Sequence, residues 1–399
     1  MPMTFEAADF YHLDDLLTPD ERRIRDEVRQ WVTERFLPVV AQHYRAGTFP
    51  MELVPELARL GVFGPGIQGH GCGGLGSVAA GRIMQELERG DSGLRTFASV
   101  QGSLAMMAID LFGSEEQKDR WLPPMAKGEK LGCFALTEPE FGSNPAGLRT
   151  RVRPSAGGYR LEGEKKWIGN GTIADVAIVW AKLEGEPGAD AESADAIGGF
   201  LVEKGTPGFT ATLIEGKLSL RAALTAELKF DGCILPESAL LPQSAGLRSP
   251  LTCLNHARYG IAWGALGAAM ACYDEARQYA LGRKQFGRPI ASFQLVQAKL
   301  ARMLTEITKA QLLAHRLAQL KDAGAVRAHH ISMAKMNNVE IALDVARTAR
   351  DILAGVGILD ERQCFRHMCN LESVKTYEGT HDIHLLVLGQ KITGLSAFS

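Results

Sequence analysis

The chain has little that would tie it to a membrane, a nucleic acid or an oxidising compartment. It contains no run of about 20 apolar residues, so no membrane span is expected. Its formal net charge of −2 gives no general attraction to nucleic acid or to an anionic surface and leaves room only for a local basic pocket. Cysteine is sparse: the seven, Cys72, Cys133, Cys233, Cys253, Cys272, Cys364 and Cys369, are odd in number and scattered, mostly among apolar neighbours. They form neither a disulfide framework nor a CxxC metal knuckle, and a reducing, cytoplasmic location is expected. The opening "MPMTFEAADFYHLDDLLTPDERR" is acidic and lacks a basic start followed by an apolar core, so no signal or transit peptide is expected. Long polar repeats are absent too. With 46% hydrophobic and 23% charged residues the composition is that of an ordinary globular protein. At 399 residues it exceeds a usual single domain, and two or three are expected.

What is present changes character twice along the chain. Residues 1–131 read as helical: "TPDERRIRDEVRQWVTERFLPVV" opens with Thr18 and Pro19 and sets Ile24, Val28, Trp31 and Val32 on one face. Between 132 and 244 the period shortens, and "VAIVWAKL", "GGFLVEKG", "FTATLI" and "AELKFDGCIL" read as strands separated by Gly, Pro and acidic turns. The stretch "LEGEPGADAESADAIGG" reads as an exposed hairpin connection. From 245 to 399 long amphipathic helices return, with a stripe of Val296, Leu300, Met303, Leu304, Ile307, Leu313, Leu317 and Leu320. Such helices suit a bundle whose unused faces pack another subunit. The expected class is α+β: an N-terminal helical domain, a central β-barrel-like or antiparallel sheet, and a C-terminal four-helix bundle.

Two local patterns suggest chemistry and then fail. "GHGCGG" holds Gly69, Gly71 and Gly74 in GxGxxG spacing, but it follows an apparent helix inside a helical region, so no βαβ unit frames a dinucleotide. In "VKTYEGTHDIHLLVLGQ", His381 and His384 share a helix face with metal-ligand reach. No third protein ligand is evident, His329 and His330 are adjacent and point apart, and no metal is expected. The plainer reading is a helix start with Thr380 as N-cap and Asp382 in the positive first turn. Glu378, at a glycine turn, would by itself be read as a solvated side chain.

Several strings occurring together alter that reading. "CFALTEPEFGS", "WIGNG", "RKQFGRPI", "ARDILAGVGI" and "TYEGTHDIH" stand in the order and at the approximate spacing seen in acyl-CoA dehydrogenases, and the resemblance covers nearly the whole chain. Within that family, "LERGDSGLRTFASVQGSL", "LNHARYGIAWGALGA" and "YEGTHDIHLLVLGQKITGLSAF" look most like glutaryl-CoA dehydrogenase. The resemblance implies FAD, an acyl-CoA substrate, and abstraction of the proton next to the thioester by Glu378 while hydride leaves the next carbon for flavin N5. A carboxylate of ordinary pKa, about 4.3, suits this only if a dry pocket raises it.

The same resemblance assigns further positions. Phe134, Leu136, Thr137, Gly142 and Ser143 fall on the flavin-edge stretch, with Ser143 also near the CoA chain, and Trp167, Ile168 and Gly169 on a segment packed against flavin. Here "WIG" replaces the commoner "WIT", so Gly169 supplies no hydroxyl. Arg283, Gln285, Phe286 and Gln294 match the segment that reaches a neighbouring subunit's FAD. Asp351 and Gly355 lie in "DILAGVG", the turn over the adenosine half, where Ala354 and Val356 depart from the usual Gly and Asn. Thr380 and Asp382 begin a helix whose amides face the cofactor. For substrate, Glu88, Arg95 and Thr96 match the surroundings of a distal carboxylate, Leu254 and Arg258 a region near CoA, and Tyr377 and Gly379 flank the base. Leu94 and Thr96 replace a familiar Tyr and Ser, which leaves another short acyl group open. The implied partners are an electron-transferring flavoprotein and three further copies in a homotetramer. Because "WIGN" also resembles certain short-chain acyl-CoA oxidases, oxygen is a second acceptor; a noncatalytic CoA-binding scaffold is the alternative from another class.

Overall fold

The computed structural model describes residues 9–184 and 193–398. The N-terminal part is helical, as its periodicity requires. Helix α1 (Pro19–Trp31) starts in a capping box in which Thr18 Oγ1 accepts from the Glu21 amide and Glu21 returns a bond to the Thr18 amide. A π-helical turn, Val32–Phe36, carries it into α2 (Leu37–Ala46), and Val28, Trp31 and Val32 are buried on the expected face. After α3 (Val54–Arg59), the GxGxxG segment is a loop leading to α4 (Ser77–Gly90), with Gly69, Gly71 and Gly74 all at positive φ. Helices α5 (Ser92–Ser99), α6 (Met107–Phe112) and α7 (Glu115–Ala126) complete this part.

The central sheet contains β1 (Gly132–Ala135), β2 (Arg151–Ser155), β3 (Gly158–Gly169), β4 (Val176–Leu183), β5 (Ile197–Glu203), β6 (Phe209–Leu213) and β7 (Thr225–Pro236). It is curled, but it is mixed rather than antiparallel: β4 runs parallel to β1 along its first half and parallel to β2 at its end, with β5 antiparallel on its other edge. The chain leaves β1, makes the β2–β3 pair, and returns to the β1 edge in the original direction; this excursion sets the parallel register. Strands β2 and β3 were not among the segments expected from the sequence. "CFALTEPEFGS" is strand only to Ala135 and loop thereafter. The connection "LEGEPGADAESADAIGG" joins two antiparallel strands, but its residues 185–192 lie outside the described residues.

The C-terminal part is built from α8 (Arg248–Gly282), the hairpin β8 (Lys284–Gln285) and β9 (Arg288–Pro289), α9 (Gln294–Asp322), α10 (Ala328–Leu353), α11 (Gln363–Thr376) and α12 (His381–Thr393). Helices α8 to α11 share one apolar core, and α12 packs across α10, a fifth helix beyond the four expected. No helix among the described residues is long and apolar enough to cross a membrane.

Glycines bring the two helical parts together. A Cβ on Gly267 of α8 would lie 1.8 Å from the Gln85 carbonyl oxygen, one on Gly264 would lie 2.1 Å from Glu88 Oε2, and one on Gly81 of α4 would lie 2.5 Å from the Trp263 ring. Close approach of α4 and α8 is what allows Glu88 to face α8. Helix α11 is tied to the same junction, because Asp91, the N-cap of α5, accepts from Arg366 Nε and Asn370 Nδ2 at 2.9 Å each. The far end of α11 therefore delivers residues 377–379 toward α5.

Candidate functional site

Glu378 occupies the turn between α11 and α12 in a left-handed conformation, φ +52°, which costs a non-glycine residue energy and needs support from its surroundings. That support comes from two cations. Lys335 Nζ donates to the carbonyls of Tyr377 (3.0 Å) and Gly379 (2.7 Å), and Arg258 Nε donates to the carbonyl of Glu378 itself (2.7 Å). All three carbonyls of the turn are thus held. Thr380 caps α12 by accepting from the Ile383 amide at 3.2 Å, and Asp382 is exposed in the first turn.

Facing this turn is a buried charge pair. Arg95 Nε and Glu88 Oε2 lie 2.8 Å apart with both side chains fully buried, so the pair is not the helix-to-loop surface bridge that such residues usually make. Ser92 Oγ takes the other Glu88 oxygen at 2.8 Å. Arg95 Nη2 donates to the Tyr377 hydroxyl, which also lies 3.4 Å from Thr96 Oγ1. Three atoms here are buried without a hydrogen-bond partner among the described residues: Arg95 Nη1, a donor, Glu378 Oε2, an acceptor, and His384 Nε2.

The electrostatics follow from burial. Burial raises the Glu378 carboxyl above the ordinary glutamate range, against the opposing pull of Arg95, Arg258 and Lys335. Burial likewise lowers the Lys335 ammonium to about 7, although the Glu378 charge resists it. Arg95 stays protonated: burial pushes it down, and Tyr377 and Glu88 more than restore it. His384 is neutral because burial lowers it to about 3, and its Nδ1 lies 3.0 Å from Ser332 Oγ. Gly379 lies close against the protein as well: a Cβ there would lie 2.9 Å from His384 Nε2 and 3.3 Å from Arg258 Nη2.

A second surface adjoins the first. After β1, residues 136–138 are fixed from β3: Lys165 Nζ donates to the Leu136 carbonyl (3.0 Å) and to Glu138 Oε1 (2.9 Å), and the Lys166 amide donates to the Thr137 carbonyl (2.9 Å). Glu138 also accepts from the amides of Arg149 and Thr150. Phe134 and Leu136 are buried, whereas Gly142 and Ser143 are exposed further along the loop. In β3 an irregular register between Lys165 and Ile168 places Trp167 at φ +64° and turns it outward, 57% exposed, while Ile168 points into the core. Asn170 Nδ2 reaches the Phe97 carbonyl at 3.4 Å, which sets the end of β3 against α5 next to Thr96. Gly169 lies against the π-helical turn that continues α5, Val100–Met106; a Cβ there would be 3.0 Å from Val100 Cγ2.

The remaining expected residues are not gathered here. Arg283, Gln285, Phe286 and Gln294 are exposed on the hairpin and the start of α9, with Phe286 93% accessible. Asp351 is ion-paired with Lys299, and Gly355 faces open space. Among the described residues none of these contacts the Glu378 cluster within one chain. Leu254 sits one helical turn before Arg258 on α8, half-buried. Sequence reasoning missed Lys335, the Ser332 partner of His384, and the Lys165–Glu138 pair. Lys335 did leave a trace, since it falls between Ile331 and Val339 on the apolar stripe of α10, where a lysine is out of place.

Three family models cover the chain: the N-terminal domain of acyl-CoA dehydrogenase over residues 18–129, the middle domain over 133–233, and the C-terminal domain over 244–393. The chain is 49% identical to a glutaryl-CoA dehydrogenase from Mycobacterium smegmatis solved in complex with FADH2, with a TM-score of 0.95 over 99% of this chain and 100% of that one. It is 31% identical to the butyryl-CoA dehydrogenase of Megasphaera elsdenii, with a TM-score of 0.88 over 96% and 100% of the two chains. Among curated proteins, the human mitochondrial short-chain specific acyl-CoA dehydrogenase is 34% identical over 362 residues, 90% of this chain and 87% of that protein.

Proposed function

Because the chain belongs to the acyl-CoA dehydrogenase family, we propose that it desaturates a short acyl-CoA with FAD as cofactor, and that its substrate is glutaryl-CoA, converted with loss of carbon dioxide to crotonyl-CoA. The observation that carries the substrate reading is Arg95 Nη1, a fully buried guanidinium donor with no partner, beside Glu378 Oε2, a buried acceptor with none. A dicarboxylic acyl chain answers both. Its distal carboxylate accepts from Arg95, and its α-carbon hydrogen faces Glu378. Arg95 and Arg258 also bring positive charge to this cluster, where Glu88 is paired with Arg95.

Glu378 is the proposed base. Lys335 and Arg258 hold its backbone, burial raises its proton affinity, and its free oxygen needs no prior bond to be broken. Tyr377 and Thr96 flank the Arg95 end. The residues present suit a flavin: an outward aromatic at Trp167, backbone fixed in place at Leu136–Glu138, and an exposed hairpin carrying Arg283, Gln285 and Phe286. When bound, FAD supplies the hydride acceptor. Arg283, Gln285, Phe286, Gln294, Asp351 and Gly355 would serve that cofactor only across a subunit boundary, which supports a homotetramer, as do the exposed Leu295 and Ile392 (81% and 80%). An electron-transferring flavoprotein is the proposed acceptor. Gly169, which supplies no hydroxyl where the commoner string has threonine, keeps oxygen as a second reading.

The test is anaerobic flavin bleaching with a panel of acyl-CoAs, with released carbon dioxide measured for glutaryl-CoA. Bleaching by butyryl-CoA alone would overturn the substrate assignment. Peroxide formed stoichiometrically without an acceptor protein would establish the oxidase.

A further inference from the structure

Behind the buried charge pair stand two residues with no role assigned so far, Gly264 of α8 and Ser92 of α5. We infer that they are positioning residues which, by fixing Glu88 and through it Arg95, set the selectivity for an acyl chain ending in a carboxylate, an inference that rests on the dicarboxylic substrate proposed above. Each oxygen of Glu88 has its own donor: Oε1 accepts from Ser92 Oγ and Oε2 from Arg95 Nε, both at 2.8 Å. The guanidinium is held at two of its three nitrogens, Nε by Glu88 and Nη2 by the Tyr377 hydroxyl. Because the group is planar and rigid, those two bonds fix where the unpartnered Nη1 points. The direction of that donor is inherited from Glu88.

Gly264 closes the other side of Glu88. Glycine in the middle of a 35-residue helix is unfavourable relative to alanine. A Cβ at 264 would lie 2.1 Å from Glu88 Oε2, 3.1 Å from its Cδ and 3.3 Å from Arg95 Nε, so one position on α8 abuts both members of the pair. The obstacle sets it apart from the other glycines on this helix. At Gly267 a Cβ would meet the backbone of α4, 1.8 Å from the Gln85 carbonyl oxygen and 2.7 Å from the Arg89 nitrogen, and that glycine governs how closely the helices approach. At Gly260 the nearest atom is Met84 Cγ, 3.3 Å away on a side chain that adapts readily. At Gly264 the obstacle is the end of a side chain that decides where Arg95 points. A methyl group there displaces Glu88 rather than α4, and with both side chains of the pair fully buried, solvent does not replace the lost bond. Ser92 acts on the opposite oxygen: without its hydroxyl, Oε1 loses its donor and Glu88 is free to turn away from Arg95. The consequence falls on recognition of the distal carboxylate rather than on the fold.

Selectivity is read in the FAD-loaded enzyme as the ratio of kcat/KM for glutaryl-CoA to that for butyryl-CoA. Gly264→Ala should lower this ratio by about tenfold or more, the share of a charged hydrogen bond. The fall should come mainly through KM for glutaryl-CoA, with butyryl-CoA turnover and bound FAD retained. Ser92→Ala should lower the ratio by a smaller factor. Gly260→Ala, which has only Met84 to move, should keep it. A wild-type ratio in Gly264→Ala or in Ser92→Ala, or an equal fall in Gly260→Ala, would overturn the inference and leave the substrate reading intact. An unaltered enzyme that releases no carbon dioxide from glutaryl-CoA and does not favour it over butyryl-CoA removes that reading, and the inference with it. If Gly264→Ala does not fold, Ser92→Ala decides.

Discussion

Lys335 clamps the turn that carries Glu378 by donating from one ammonium to the carbonyls of Tyr377 and Gly379, the residues on either side of it. The ammonium is a buried cation whose two hydrogen bonds hold a left-handed glutamate in place. Lys335→Met should therefore lower kcat by about a hundredfold, the loss that a misplacement of about 1 Å produces. KM should change little and bound FAD should remain. Stopped-flow flavin reduction separates these effects; unchanged kcat would show that the turn holds itself.

The shifted pair Glu378 and Lys335 predicts two pH effects. For activity, the rising limb of kcat/KM should have an apparent pKa above that of an ordinary glutamate, because burial disfavours the charged form. Glu378→Gln should abolish turnover and keep FAD. For stability the signs oppose. A raised carboxyl binds more protons folded than unfolded, so Glu378 makes stability fall as pH rises from about 4.3 through its folded value. Lys335, lowered to about 7, binds fewer protons folded than unfolded, so it makes stability rise between there and about 10.4. Denaturant titrations of wild type and Lys335→Met across pH 6 to 10 isolate the second slope.

Arg95→Lys retains a charge beside Glu88 while removing the forked donor. The ratio of kcat/KM for glutaryl-CoA to that for butyryl-CoA should fall by about 10- to 100-fold, roughly the 1.5–3 kcal/mol of a charged hydrogen bond. An equal loss for both substrates would assign Arg95 to holding Tyr377 and nothing more.

Lys165→Met leaves Glu138 as a buried carboxylate without its cation. It should destabilise the protein by about 3–5 kcal/mol and release FAD on gel filtration. Adding Glu138→Gln should recover most of the loss in stability, since the uncompensated charge is then gone.

Much of this was legible in the residues. Thr18 and Pro19 mark the start of α1, and Thr380 marks the start of α12, because capping is local chemistry. The strands β4 to β7 show their short period. Strands β2 and β3 do not: "RVRPS" and "GYRLEGEKKWIG" are crowded with charge, and they pair because the sheet surrounds them rather than because they alternate cleanly. The parallel register of β4 depends on a chain excursion that no window of sequence contains. In the site, Glu378, Arg95 and Arg258 stand in recognisable strings. Lys335 and Lys165 act on backbone carbonyls, which are the same whatever residue carries them, so nothing in sequence announces their targets.

The Arg95–Tyr377 contact joins residues 282 positions apart, and Arg366 meets Asp91 across 275. Closing loops of that length is slow in folding. During synthesis the N-terminal helices and the sheet must wait, with the buried charges of Glu88 and Arg95 already in place, until α11 leaves the ribosome. Activity should therefore emerge last in refolding, after helix and sheet signals have reached their final values, and any chain ending before Tyr377 should carry a half-built site that no local folding can complete.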